Sequence, residues 1–367
     1  MKVGLITLHN VKNYGSVLQT YATQKLFRDL GCEVDVINYS RKELMDENLL
    51  ENRINTSRIF SQNFITRMIG KILLGNSVKK QCKVFNEFLN KNINLTKRYN
   101  SFEELVENVP EADIYCTGSD QVWNSDWNKG IQKAFFLEFV QDKPKISYAA
   151  SFGKSELDQE EIEITKEMLK KYDHISVREK SAVKIIHDLG IKEVEHVLDP
   201  TLMLNKEEWS KLKTDIKHKG KYILVYQLNT KNPEFDQYVK KLSRIKKIPV
   251  IRVSNVIYQA FKYGKFVYCP TVNEFLTYFL NAEYIVTDSF HATGFSINFN
   301  KKFVSIFPKK FSTRLQSILE LTGLENRRVQ DFNNFSIIDK EIDYQKVNEI
   351  IEKERKKSMD YLKNAIK

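Results

Sequence analysis

The sequence has no run of 18 or more apolar residues, which excludes a membrane-spanning helix. Its four cysteines are far apart, and no two have the two-residue spacing of a zinc or redox site, so we expect free thiols in a reducing compartment. The first residues, "MKVGLITLHN", lack the long apolar stretch and small-residue cleavage site of a signal peptide. The sequence therefore predicts a cytoplasmic protein.

Nucleotide- and nucleic-acid-binding signatures are also missing. The loop at residues 9–19 holds a single glycine, unlike the dinucleotide fingerprint, and no Gly-Lys-Ser/Thr follows as in a P-loop. We find no zinc finger, RNA-recognition signature or basic leucine zipper, and we expect no nucleic-acid partner. The net charge of +11 instead favours other acidic partners, among them phosphorylated metabolites, anionic polymers and anionic lipid.

One basic and apolar segment, at residues 64–80, leaves two interpretations open. Its sequence "FITRMIGKILLGNSVKK" places basic and apolar residues at roughly helical spacing. Such a helix lies on a membrane surface as a peripheral contact, or it packs on the protein as an ordinary amphipathic surface helix. The sequence alone favours the ordinary helix.

The order of strand-like and helix-like segments predicts the fold. Two successive strand–helix series indicate an α/β protein with two doubly wound, Rossmann-like domains. We expect an N-terminal domain over residues 1–202, with a helical insertion at about 41–110, and a C-terminal domain over residues 203–340. Residues 341–367 form a last helix that packs back on the body of the protein. Because ligands bind beyond the carboxyl ends of parallel strands, we expect the site in the cleft between the two sheets.

Two loops of the N-terminal domain offer backbone donors at strand ends. Gly15 and Ser16 begin a helix, where free N–H groups favour an anion or a sugar hydroxyl, or where they serve only as a cap. Gly118 and Ser119 directly follow a strand and can approach a ligand closely. Asp120, next in the chain, acts as a base or caps the following turn.

Arg178 ends another strand directly before a helix. From there it points five donors into the cleft, suited to a carboxylate or phosphate, or it forms a salt bridge within the fold. Asp199 precedes a proline, which is typical of a turn, although a functional role stays open.

The stretch "TDSFHATGF" places a histidine at a strand end. His291 follows Asp288 and Ser289 and begins a helix, a position that favours proton transfer over simple core packing. Lys309 and Lys310 follow the next strand at the same edge of the sheet. The sequence therefore predicts an anion site with an acid/base centre.

The chain resembles the polysaccharide pyruvyl transferase family over most of its length. The resemblance implies a GT-B-like fold and transfer of the enolpyruvyl unit of phosphoenolpyruvate onto a sugar, usually as a ketal across two hydroxyls. We expect no cofactor, and no metal because the sequence has no cluster of metal ligands. It rests on these segments in this order: "NYGSVLQTYA", "GSDQVWN", "SYAASFG", "SVREKSAV", "VLDPTLML", "DSFHATGFSINFNKKFVSI" and "STRLQSILELTGL".

The resemblance also implies roles for single residues. Arg178 matches the family arginine that holds phosphoenolpyruvate, His291 matches the active-site histidine, and Lys309 or Lys310 matches the downstream anion ligand. Several members have arginine where this chain has Ser289, so another cation such as Arg314 replaces that charge or the donor site is altered. We expect further phosphoenolpyruvate contacts from Ser289, Gly118 and Ser119, and acceptor contacts from Asn13, Tyr14, Gly15 and Asp120.

The expected acceptor is a glycan or a lipid-linked sugar of a cell-surface polysaccharide or its precursor. Such an acceptor allows a location at the inner face of the membrane. Two other functions stay open: a GT-B glycosyltransferase that uses a nucleotide sugar, and a non-catalytic protein that binds anions or glycans. The sequence does not decide between a ketal and an enol ether product.

Overall fold

The computed structural model describes residues 1–229, 232–309 and 312–367. Within these residues the chain forms two five-stranded parallel sheets and one small two-stranded sheet. The strands are β1 (Lys2–Ile6), β2 (Glu33–Tyr39), β3 (Leu95–Tyr99), β4 (Ile114–Thr117), β5 (Lys145–Ser147), β6 (Ser176–Val177), β7 (Glu195–His196), β8 (Ile223–Tyr226), β9 (Val250–Ser254), β10 (Lys265–Tyr268), β11 (Tyr284–Thr287) and β12 (Lys302–Ser305).

Helices cover both faces of the large sheets. They are α1 (Tyr14–Asp29), α2 (Asp46–Thr56), α3 (Phe64–Asn92), α4 (Phe102–Glu107), α5 (Ser125–Asn128), α6 (Ile162–Leu169), α7 (Lys180–Asp188), α8 (Pro200–Met203), α9 (Lys206–Ser210), α10 (Pro233–Lys246), α11 (Val272–Asn281), α12 (Phe290–Asn298), α13 (Thr313–Thr322) and α14 (Tyr344–Ala365). Strands β4, β8 and β11 are buried at every position, which explains their continuous apolar sequences. Of the helices in the described ranges, none has the length and apolarity needed to cross a membrane.

The two large sheets have the same topology. Their strand orders are β3-β2-β1-β4-β5 and β10-β9-β8-β11-β12, and every neighbouring pair is parallel. Each sheet thus starts at its centre and is wound outward in both directions, as in Rossmann-like domains. The predicted fold class, two doubly wound domains that face each other across a GT-B-like cleft, is confirmed.

One predicted element needs correction. The expected helical insertion at residues 41–110 is helical in α2 and α3, but β3 in the same range pairs with β2 at the edge of the first sheet. The sequence of β3, "LTKRY", is polar because an edge strand faces solvent, and it therefore lacks the apolar signature of the central strands.

Contacts hold the two domains and the last helix together. The Tyr14 ring, at the start of α1, stacks on Phe275 of α11 with centroids 4.1 Å apart. Helix α14 returns to the first sheet, where the Tyr361 hydroxyl donates to the Ser147 carbonyl at 2.8 Å. A continuous buried core that includes residues of both domains joins these regions.

Candidate functional site

A cavity of about 480 Å³ lies between the two domains at the carboxyl ends of their strands. The loops after β1 and β4, with α1 and α5, form one wall, and the loops after β8, β11 and β12, with α12 and α13, form the other. The lining residues are Leu8, Val11, Asn13, Ser16, Asp120, Gln121 and Trp127 on the first wall, and Leu228, Asn229, Asp288, Ser289, Phe290, His291, Pro308, Lys309, Arg314 and Leu315 on the second.

His291 lies in this cavity wall, in the first turn of α12. Its side chain is 10% exposed, and its Nε2 atom has no hydrogen-bond partner within the described residues. The nearest carboxylate oxygen, Oδ2 of Asp199, is 3.9 Å from Nε2. A Cβ atom on Gly15 would lie 2.1 Å from the Nδ1 atom of His291. Gly15 therefore lets the imidazole pack directly on the backbone of α1.

The environment of His291 keeps its ring neutral. Burial lowers the pKa of His291 to about 4, and Arg178 and Arg314 act in the same direction. The carboxylates of Asp199 and Asp120 oppose this shift only in part. At neutral pH the free imidazole thus has one nitrogen that can accept a proton.

Arg178 lies behind the wall and is already paired. Its buried guanidinium donates to Oδ2 of Asp199 at 2.7 Å and to Oδ1 of Asp120 at 3.2 Å, and its Nε lies 3.8 Å from Oε2 of Glu179. It is not among the lining residues of the cavity. The structure therefore supports the salt bridge within the fold rather than a guanidinium that points into the cleft.

Arg314 is one of two cavity-lining cations, with Lys309, that have no carboxylate partner among the described residues. Among the described residues it has no ion pair, and its buried Nε atom has no hydrogen bond. Burial lowers the pKa of Arg314 to about 10, so the guanidinium remains charged at neutral pH. It lies in the first turn of α13, whose preceding residue Ser312 makes no capping hydrogen bond. With exposed Lys309 beside it, this corner is suited to an anion, while Lys310 lies outside the described residues.

Three further predicted residues line the cavity. Ser289 caps α12 and Asn13 caps α1, each through its side-chain oxygen. Asp120 has a left-handed backbone (φ 76°) and accepts a hydrogen bond from the Ser16 hydroxyl at 2.6 Å. Burial would raise the pKa of Asp120, but Arg178 and His291 lower it to about 2. Asp120 is therefore a poor base and a good acceptor for a hydroxyl donor.

The structure places three other predicted residues away from the cavity. Tyr14 is buried in the contact between the domains. Gly118 packs in the first sheet, where an added Cβ would lie 3.0 Å from Leu5. Ser119 donates its hydroxyl to Oδ2 of Asp199 at 2.9 Å. Gly118 and Ser119 follow β4 as expected, but both residues, like Tyr14, stabilise the fold instead of facing the cavity.

Several cavity residues have no role assigned from the sequence, and Trp127 and Asp288 are two of them. Trp127, on the short helix α5, is half-buried and holds the Arg41 guanidinium 4.9 Å from its ring centroid. Asp288 accepts the backbone N–H groups of Leu228 and Asn229, each at 2.7 Å, and burial raises its pKa to about 6. The strand-end position of Asp288 was a visible signal, whereas nothing in the sequence around Trp127 points to a cavity.

The sequence of the chain matches one protein family over most of its length. A sequence model described as "Polysaccharide pyruvyl transferase" matches residues 13–306. The chain belongs to the polysaccharide pyruvyl transferase family. The match extends from the loop before α1 to the residue after β12. It therefore includes residues of both cavity walls. The lining residues outside it are Leu8, Val11 and those beyond position 306. As a member of this family the protein is a transferase, and the family implies a glycan acceptor.

Comparison with solved structures finds likeness at low identity. UDP-GlcNAc 2-epimerase from Methanocaldococcus jannaschii has 12% identity and a TM-score of 0.47, with 93% of this chain and 91% of that chain covered. S. aureus MnaA with UDP has 12% identity and a TM-score of 0.48, with 95% and 88% covered. E. coli heptosyltransferase WaaC with ADP has 12% identity and a TM-score of 0.41, with 96% and 100% covered. No curated protein matches the sequence.

Proposed function

We propose that the protein transfers the enolpyruvyl group of phosphoenolpyruvate onto a sugar of a cell-surface polysaccharide or its precursor and forms a pyruvate ketal. One observation carries this proposal: two positively charged side chains without carboxylate partners lie in the same cavity as a neutral imidazole. Arg314 and Lys309 line the same cavity as His291, and neither has a carboxylate partner within the described residues. A small anion that must be protonated suits such a cavity.

The donor would bind at the positive corner formed by Arg314, Lys309 and the first turn of α13. Phosphoenolpyruvate carries a carboxylate and a phosphate, and the planar fork of Arg314 suits either group. Arg178, which was expected to bind the donor, would instead act indirectly. Its ion pairs hold Asp120 and Asp199 beside the imidazole.

His291 would be the proton donor to the methylene carbon of phosphoenolpyruvate. The incoming anion favours the imidazolium form, which offsets the burial that keeps the free ring neutral. As the methylene carbon takes this proton, an acceptor hydroxyl attacks the adjacent carbon and loses its own proton to Asp288, whose pKa of about 6 suits a base.

The ketal then forms by loss of phosphate. The bond between the former enol carbon and the phosphate oxygen breaks, and a second acceptor hydroxyl attacks the same carbon. The proton of the second hydroxyl leaves with the phosphate. Two protons leave the hydroxyls, and two are taken up, one by the methyl group and one by the phosphate. Asp288 returns its proton to solvent and His291 takes one from solvent, so the cycle balances without an oxidant or reductant.

The acceptor would bind at the wall formed by the N-terminal domain. Asn13, Asp120 and Gln121 offer polar groups to sugar hydroxyls, and Trp127 offers an aromatic face. Gly15 would contribute by admitting the imidazole, not through a contact of its own.

Mass spectrometry of a glycan pool incubated with the enzyme and phosphoenolpyruvate tests the reaction. We expect a mass gain of one pyruvate ketal with release of phosphate. The variant His291→Gln should lower turnover by about 10²–10⁴-fold, because an acid/base group is lost, with a smaller change in donor affinity. His187→Gln, at an exposed position on α7, serves as the matched control. Full turnover by His291→Gln would refute the assigned role.

A further inference from the structure

We propose that one side of α3 docks the protein onto an anionic membrane surface. Six large apolar side chains in the first three turns of this helix are between 45% and 75% exposed. Their spacing places them all on about half of the helix circumference, at 3.6 residues per turn. The apolar face consists of Phe64, Ile65, Met68, Ile69, Ile72 and Leu73.

The opposite side of the same turns is held against the protein. A Cβ atom on Gly70 would lie 2.9 Å from the Phe60 ring, so the helix is closely packed there. Arg67 and Lys71 form ion pairs with Glu51 of α2 at 2.7 and 2.6 Å. An ordinary amphipathic surface helix buries its apolar side against the protein. Here the contacts fix the polar side inward and leave the apolar face outward, as in a helix that lies on a membrane.

The chain segment that carries the apolar face has charge of one sign, and Glu51, just before it, pairs with Arg67 and Lys71. Residues 52–86 contain seven basic residues and no aspartate or glutamate. Basic residues beside an exposed apolar surface favour anionic lipid. A second copy of the chain related by a twofold axis would bring these like charges together, which disfavours self-association through this face. The basic residues are Arg53, Arg58, Arg67, Lys71, Lys79, Lys80 and Lys83.

The apolar face has a fixed relation to the catalytic cavity. Lys12 forms an ion pair with Asp46 of α2 at 2.7 Å and donates to Asn86 of α3 at 2.8 Å. The next residue, Asn13, lines the cavity. Docking through α3 would thus hold the acceptor wall at a fixed distance from the lipid surface, on which a lipid-linked sugar is presented. This last step rests on the proposed function, whereas the docking itself does not.

Sedimentation with lipid vesicles tests the docking. The full-length protein should bind vesicles of equal parts phosphatidylcholine and phosphatidylglycerol, bind phosphatidylcholine vesicles more weakly, and dissociate as salt increases. The double variant Phe64→Ser with Ile72→Ser should lower binding by about tenfold or more, because two exposed apolar side chains are lost from the face. The control Ile164→Ser with Ile245→Ser changes exposed apolar residues elsewhere and should bind as the wild type does.

A second pair of variants tests the charge. Arg58→Gln with Lys79→Gln should lower binding to anionic vesicles by about threefold to thirtyfold. Lys213→Gln with Lys217→Gln, at exposed positions in the crossing between the domains, should not change it.

Two results would overturn the docking proposal. One is equal binding by the wild type and the Phe64→Ser, Ile72→Ser variant, or no binding by either. The other is a wild-type dimer that this variant makes monomeric, without any vesicle binding. Both variant pairs should keep full activity on a water-soluble acceptor, so a failure of docking is distinguishable from a failure of the proposed chemistry.

Discussion

Two arginines beside the same aromatic ring differ in what surrounds them. The guanidinium carbons of Arg178 and Arg314 lie 4.9 and 5.7 Å from the ring centroid of Phe290. The Arg178 guanidinium forms ion pairs with carboxylates, whereas the Arg314 guanidinium forms none among the described residues. Position at a strand end therefore does not decide which cation can bind a ligand. What decides whether a cation can bind a ligand is the number of carboxylates that already contact its guanidinium.

The pKa shifts of the two side chains show the same difference. Burial alone would lower the pKa of Arg178, but Asp199 and Asp120 raise it above its ordinary value. Burial lowers the pKa of Arg314 to about 10, and the more distant carboxylates do not restore it. An anionic ligand would raise the pKa of Arg314, as the carboxylates raise the pKa of Arg178.

The largest expected effect is on stability, from Arg178→Met. Removal of this cation leaves the buried carboxylates of Asp120 and Asp199 without a counter-charge, so the free energy of unfolding should fall by about 3–5 kcal/mol. Urea unfolding measures it, with Arg58→Gln as the exposed control. A variant of normal stability that loses only donor affinity would reverse the roles of the two arginines.

The pH dependence of stability should report His291, whose pKa both arginines lower. Between pH 6.5 and about 4 the unfolded chain binds a proton at His291 and the folded chain does not, so stability falls as the pH decreases through this range. Asp288, with its pKa raised to about 6, has the opposite effect below that pH. Urea unfolding of the wild type and His291→Gln at each pH isolates the histidine, because Asp288 is common to both. If the unfolding free energies of the wild type and His291→Gln changed in parallel with pH, the result would contradict a neutral buried imidazole.

Arg314→Gln should weaken donor binding and leave the fold intact. Loss of charged hydrogen bonds should lower affinity for phosphoenolpyruvate by about 10–100-fold, while the unfolding free energy stays the same or rises. Calorimetric titration measures the affinity, and Arg244→Gln on α10 is the control. Unchanged affinity would exclude Arg314 as the donor ligand.

Lys309→Gln should give the smallest effect. The side chain is exposed, so solvent screens its charge, and we expect a loss of about threefold in donor affinity. The same titration measures it, with exposed Lys302→Gln as the control. A loss larger than that of Arg314→Gln would mean that the lysine, not the arginine, is the principal anion ligand.

Much of this architecture could be predicted from the sequence. Apolar strands alternating with helices indicated two doubly wound sheets, and loops after parallel strands indicated the cleft. Five predicted residues line the cavity because strand ends converge there: Asn13, Asp120, Ser289, His291 and Lys309.

What could not be predicted depends on residues from distant loops. Arg178 is paired by Asp120 and Asp199, which are 58 and 21 residues away in the chain. The family resemblance offered Arg314 as one possible replacement cation, but the access of Arg314 and of Trp127 to the cavity depends on how the two domains meet. No local pattern contains that information, because each loop has the same strand-end signature whether its side chain faces the ligand or the fold.

Proton uptake on donor binding tests the central role of His291 most directly. Calorimetric titration of phosphoenolpyruvate in buffers of different ionisation enthalpy, at a pH above the pKa of its phosphate, counts the protons taken up. Because the free imidazole is neutral and must become the proton donor, the wild type should take up close to one proton and His291→Gln close to none. No uptake by the wild type, or equal uptake by the variant, would contradict the account.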